Sequence, residues 1–286
     1  MCRTWHWGRL CGMAGLLGIA AITQSSLSGP ALADEYAFHV SYRAYLSGVR
    51  VGSGELIGHF NGDDYRLTAN GEVSGIARVL SRYEGKAEAR GELPDGSARF
   101  RAEAVGDGEA QSIRLRLDGG AVKSVAIEPE PEPHRVNHPK RVKLEDGHKR
   151  GVMDPMRALL LAGGAGLDPQ ACERTLPLFS GDSRFDLALS YQGVDTVASP
   201  RSNGYSGPVL VCQARYQPVA GHRTDHSSVA YLRDRARIEV MFAPLPDANL
   251  LLPYRITVST PLGPAVLQSQ TFLGAGHYTA AAASGD

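Results

Sequence analysis

Cys172 and Cys212 are the side chains of this sequence best placed for a defined covalent chemistry. The chain holds four cysteines, and the other two, Cys2 and Cys11, fall in an N-terminal stretch that reads as removable. An even pair in an oxidising compartment forms a structural disulfide by default. Closing that loop would remove unfolded-chain entropy worth roughly 4 kcal/mol. A redox-active dithiol would be a close C-x-x-C, which the sequence lacks.

Other reactive residue types fail on context. Gly204-Tyr205-Ser206-Gly207 resembles a nucleophile elbow, but Pro208 takes the final small-residue position and a strand pattern follows where a helix is needed. His222 and His226, like His134 and His138, have the spacing of zinc ligands one helical turn apart. Arg223 stands where a zincin has glutamate, and the second pair lies among prolines. Asp154 is accounted for as a helix cap. No catalytic residue and no metal ligand is assigned, and without a P-loop or dinucleotide fingerprint no cofactor is expected. The chain reads as a non-enzyme.

Residues 138–150, "HPKRVKLEDGHKR", cluster Lys140, Arg141, Lys143, Lys149 and Arg150 and could meet phosphate head groups. Glu145, Asp146 and the preceding glutamates offset that charge, so a solvated face is the plainer reading. Without interleaved aromatic residues, it is no nucleic-acid platform. The whole chain is balanced, with 30 Lys+Arg and 30 Asp+Glu, so no global field steers it to nucleic acid or anionic lipid.

The elements that would position these residues are mostly strands. Tyr36, Phe38, Val40, Tyr42, Ala44 and Leu46 alternate with His39, Ser41 and Arg43, the period-two signature of a half-buried strand. Turn signals at 61–64, 93–97, 106–109 and 118–120 divide the following residues into hairpins. Prolines in "EPEPEP", 128–133, mark an exposed connector. "DPMRALLLAGG", 154–164, reads as a short docked helix with Asp154 as N-cap, Pro155 at its first position and Gly163-Gly164 as its stop. Strand patterns resume after Cys172 and include "SSVAYLRD", 227–234, and "ARIEVMFAP", 236–244.

Arg3 and Arg9, an apolar run from Leu10 to Ile22 and Ala31-Leu32-Ala33 form a secretory signal peptide cleaved after Ala33. The run is shorter than the roughly 20 residues that cross a bilayer, and no segment of the mature chain could span one as a helix. The expected organisation is a signal peptide at 1–33, a single β-barrel-like domain at 34–273 and a disordered tail at 274–286. The domain's halves, 34–127 and 172–273, are joined by the connector and helix of 128–171.

Four blocks, "GVMDPMRALL" (151–160), "CERTLPLFSGDSRFDLALSY" (172–191), "YSGPVLVCQARYQPVAGH" (205–222) and "IEVMFAPLPDANLLLPYRITVSTPLG" (238–263), carry a resemblance. They are similar to the bacterial exported family catalogued as domain of unknown function 3108, in its alphaproteobacterial form. The resemblance implies a periplasmic protein of a Gram-negative bacterium, with a β-barrel-like shape like lipoprotein-carrier and envelope-integrity folds and an apolar interior. Ser180 stands where relatives tend to carry an acidic residue. The family brings no catalytic residues to transfer.

The fold expected is mainly antiparallel all-β, a barrel-like or open, spiral β-barrel with one short central helix as plug or lid. Met153, Met156, Leu159 and Leu160 would form the plug's apolar face and touch any ligand. The leading functional expectation is a periplasmic protein that supports the cell envelope, holding a lipid or other apolar ligand in the barrel or meeting an envelope protein. A ligand-free scaffold and a hydrolase without a recognisable motif are the alternatives.

Overall fold

Alternation along the first strand builds the wall of a barrel. In the computed structural model, which describes residues 35–74, 83–106, 108–163, 167–245 and 248–274, β1 (Glu35–Leu46) buries Tyr36, Phe38, Val40 and Tyr42 on one face. The signal-peptide reading lies outside the described residues, as does the tail apart from Gly274.

A meander follows: β2 (Val49–Asn61), β3 (Asp64–Val73), β4 (Tyr83–Glu92), β5 (Ala98–Gly106), β6 (Glu109–Asp118) and β7 (Ala121–Glu128). Beyond the connector come α1 (Pro133–Val136), β8 (Leu161–Ala162), β9 (Thr175–Phe179), β10 (Arg184–Val197), β11 (Gly207–Ala220), α2 (Ser227–Asp234), β12 (Ile238–Leu245), β13 (Leu250–Thr260) and β14 (Gly263–Leu273). Antiparallel pairing of β1 with β14 joins the two meanders into one sheet. The order is β7-β6-β5-β4-β3-β2-β1-β14-β13-β12-β11-β10-β9, with β8 added beside β13.

The sheet is an open barrel, because β7 and β9 do not pair. Residues 151–153 stitch across that seam. Val152 N–H donates to Gly120 C=O at 2.9 Å, Met153 N–H to Pro177 C=O at 2.8 Å, and Phe179 N–H to Met153 C=O at 2.9 Å. Satisfying backbone groups this way shields part of an edge that would otherwise be free to pair with another chain.

The central helix is much shorter than 154–164. Asp154 Oδ1 accepts from the N–H groups of Met156 (2.9 Å) and Arg157 (3.0 Å), but only Arg157–Leu159 is helical, a single 3₁₀ turn. Leu160 then turns extended and β8 pairs with Leu250 and Leu251. The reason is where adjacent leucines must go. Leu160 belongs to the core inside β1–β6 with Phe38, Leu67 and Phe100, whereas Leu161 belongs to a second core with Leu178, Leu210 and Phe242. An extended chain sends neighbours to opposite sides, and a helix keeps them about 100° apart.

Residues 227–234 are helical rather than extended: they form α2, with Ala230 N–H donating to His226 C=O at 3.0 Å. Val229 and Tyr231 mimic period two over a window too short to separate strand from helix.

Candidate functional site

The inner face of the first meander changes in side-chain size along its length. One row pairs Phe38 with Gly58, Gly58 with Leu67, Leu67 with Ala89, Ala89 with Phe100 and Phe100 with Leu115. Tyr36, Phe60 and Tyr65 add bulk beside it, so that end of the barrel is filled. Four residues further along the strands the matching row is Gly54, Gly71, Gly85 and Ala104. A row of Leu56, Ala69, Ala87 and Ala102 lies between the two.

Small side chains leave space. A cavity of about 560 Å³ lies against these rows, floored by Tyr42, Leu56, Leu159 and Pro253 and flanked by Ile256 and Leu267. Tyr42 donates its hydroxyl to Pro253 C=O at 2.8 Å, across the interior, and burial pushes its pKa upward. Pro253 lies where the β12–β13 ladder shifts register, a place that tolerates a residue with no N–H to donate. The charged neighbours Glu55, Glu72, Lys86 and Glu103 occupy alternate positions whose side chains project from the other face of the sheet. Side chains that face the cavity are therefore apolar, apart from satisfied or peripheral tyrosine hydroxyls.

The Asp154 turn leads into Leu159 of the cavity lining. Asp154 is 1 % exposed, and burial raises its pKa against the lowering effect of the backbone N–H groups it accepts from. Arg157 reaches over the Tyr65 ring, 6.0 Å from its centre, and donates to Pro94 C=O at 2.6 Å. These contacts fix the turn that presents Leu159. Of the four plug residues, Leu159 lines the cavity, Met156 and Leu160 are buried in the first core, and Met153 packs against the second.

Cys172 and Cys212 lie within disulfide distance, their Cα atoms 5.5 Å apart and both side chains fully buried. Cys172 ends a 3₁₀ turn capped by Asp168, and Cys212 sits in β11 opposite Tyr191.

The remaining candidates disperse. Ser206 is exposed and accepts a hydrogen bond from Ser199 N–H at 2.9 Å, just before β11. His226 precedes α2, and His222 lies in the preceding loop, where burial and then Arg233 lower its pKa. Among the described residues no three His, Cys, Asp or Glu side chains are grouped as a metal site would require. In the basic cluster, Lys140 pairs with Asp225, Arg141 with Asp182 and Lys149 with Asp146. No helix among the described residues is long and apolar enough to cross a membrane.

A family model described as "Protein of unknown function (DUF3108)" matches residues 38–269. The chain belongs to this family. No curated protein matches this chain. A solved structure does: the crystal structure of a beta-barrel-like protein of domain of unknown function DUF1849 from Brucella abortus. It has a TM-score of 0.50 at 12% identity, over 84% of this chain and 97% of that one. At that identity the likeness is one of fold. The cavity itself had no motif to announce it; its only trace in the sequence is glycine and alanine at inward positions of β2–β5.

Proposed function

We propose that this DUF3108 protein is an exported, non-enzymatic envelope protein that holds an apolar molecule, an acyl chain in the first instance, inside its open barrel. One observation carries the reading: a cavity of about 560 Å³ walled by Gly54, Gly71, Gly85, Ala87 and Ala102, whose charged neighbours Glu55, Glu72, Lys86 and Glu103 occupy the alternate strand positions that project from the other face of the sheet. The volume falls within the usual range for small-molecule sites, roughly 300–1,000 Å³, and apolar walls are typical of them. Each methylene moved from water into such a space contributes about 0.8 kcal/mol. The signal-peptide pattern before Asp34 and the buried cysteine pair support export to the periplasm.

The test is protein purified from periplasm without detergent, followed by native mass spectrometry and lipid extraction. Wild type should carry an apolar adduct. Ala87→Leu and Ala102→Leu, which put bulk into the space, should lose it while folding normally. An adduct-free wild type that also fails to take up a fluorescent fatty-acid probe would leave a ligand-free scaffold as the better account.

A further inference from the structure

The strand directions bring several hairpin tips to one end of the first meander. β1, β3, β5 and β13 finish there, and β2, β4, β6 and β14 begin there. The small-residue end of the cavity, with Val51, Val73, Tyr83 and Ala104, lies at this same end. Seven large hydrophobic side chains are exposed among the described residues, and four of them are here: Leu262 (74%), Val49 (51%), Tyr83 (51%) and Val105 (42%). Such residues scattered singly need no explanation. Their concentration around one cavity mouth does.

Two of these tips are held together. Ser47 and Gly48 make the β1–β2 turn with positive φ at both positions, and Ser47 N–H donates to Pro264 C=O at 2.9 Å. The Ser47 hydroxyl donates to Leu262 C=O. Val49 and Leu262 are thus presented on linked turns.

We infer that this rim docks on a lipid bilayer, its apolar tips entering the boundary between head groups and hydrocarbon. The inference rests on the cavity reading in one respect, that the mouth is where an apolar ligand crosses. A stable protein partner needs a contiguous apolar core at the contact. Here the tips stand on separate hairpins, and charged residues follow two of them directly, Arg50 after Val49 and Glu84 after Tyr83. A fluid interface accepts separate tips, with head groups filling the space between, and tyrosine suits that depth. Docking there lets a ligand pass between bilayer and cavity without crossing water.

The experiment is flotation of the full chain with phosphatidylcholine vesicles at low and high salt, with Val49→Asp, Leu262→Asp, Val194→Asp and Ala102→Leu beside wild type. Val194 is equally exposed, at 50%, on β10. Wild type should float at both salt concentrations, because the contact is apolar. Each rim substitution should cut vesicle partition about tenfold, with near-UV circular dichroism unchanged, and V194D should float like wild type. A102L should float too while losing the fatty-acid probe, which separates this inference from the cavity reading. Wild type that stays unbound, or rim variants that float undiminished, would overturn it. Flotation abolished by salt, or capture of a protein partner by wild type that binds no vesicles, would overturn it as well.

Discussion

The ring of Phe38 occupies the space in which a side chain at Gly58 would stand. The two residues face each other across the β1–β2 ladder, and a Cβ on Gly58 would overlap the Phe38 ring edge. Phe38 is fully buried, its ring centre 6.1 Å from that of Phe60. Glycine here is what lets an aromatic layer close one end of the barrel. Gly58→Ala should therefore destabilise by about 1–3 kcal/mol through overpacking. Phe38→Leu in the same chain should recover part of that loss. Urea melts of the two single variants and the double variant measure the coupling, and additive losses would refute the overlap.

Asp154 gives a pH dependence of known sign. Burial raises its carboxyl pKa in the folded protein, whereas the unfolded chain titrates near about 3.9. Between those values the folded state binds more protons, so stability falls as pH rises. The contribution is complete below the unfolded pKa and is lost as pH climbs through the folded one. Asp154→Asn keeps an oxygen for the Met156 and Arg157 N–H groups but has no proton to lose. Its stability relative to wild type should rise with pH across that window, read from urea midpoints between pH 3.5 and pH 8. Parallel curves would show that Asp154 ionises in the fold without penalty.

Legibility in the sequence followed the range of the physics. Period two in Tyr36–Tyr42 reports a local fact, one buried face, and the structure repeats it residue by residue. Pairing of β1 with β14 joins residues more than two hundred positions apart, which no local pattern encodes. The run Leu159-Leu160-Leu161 misleads because helix and extended chain both bury leucine, and only the two cores on either side decide between them. The cavity is silent for a different reason. Gly54, Gly71 and Gly85 weaken the strand signal, and the space they leave exists only once three strands align.

Alignment also creates a row of like charges. Arg66 opposes Arg90, Arg90 opposes Arg99, and Arg99 opposes Arg116 on the outer face of β3–β6. Among the described residues none of the four has a carboxylate oxygen within 4.0 Å, unlike Arg101 and Arg114, which pair with Glu103 and Glu128. Like charges directly opposed across a ladder destabilise it, and opposite charges stabilise it. Arg99→Glu, flanked by Arg90 and Arg116, should raise the melting temperature at low ionic strength. The gain should shrink in 1 M salt, where screening falls to about 3 Å. An unchanged or lower melting temperature at low salt would show that the arginines are held by something other than their neighbours.

Cys172 and Cys212 connect the turn that follows β8 to the interior of the second core. Both sulfurs lie among Leu161, Leu176, Leu210 and Phe242, and 40 positions separate the two residues. Closing that loop should contribute up to about 4 kcal/mol through the unfolded state. Replacing both by alanine should cost somewhat more, since two buried sulfurs also leave space behind. Because the pair is fully buried, dithiothreitol should reduce it slowly in the native protein and quickly in urea. The check is a melt of wild type, reduced wild type and the double alanine variant, with thiol counting alongside. Identical melting of oxidised and reduced protein would mean that the core, and not the covalent link, holds residues 169–172 against β11.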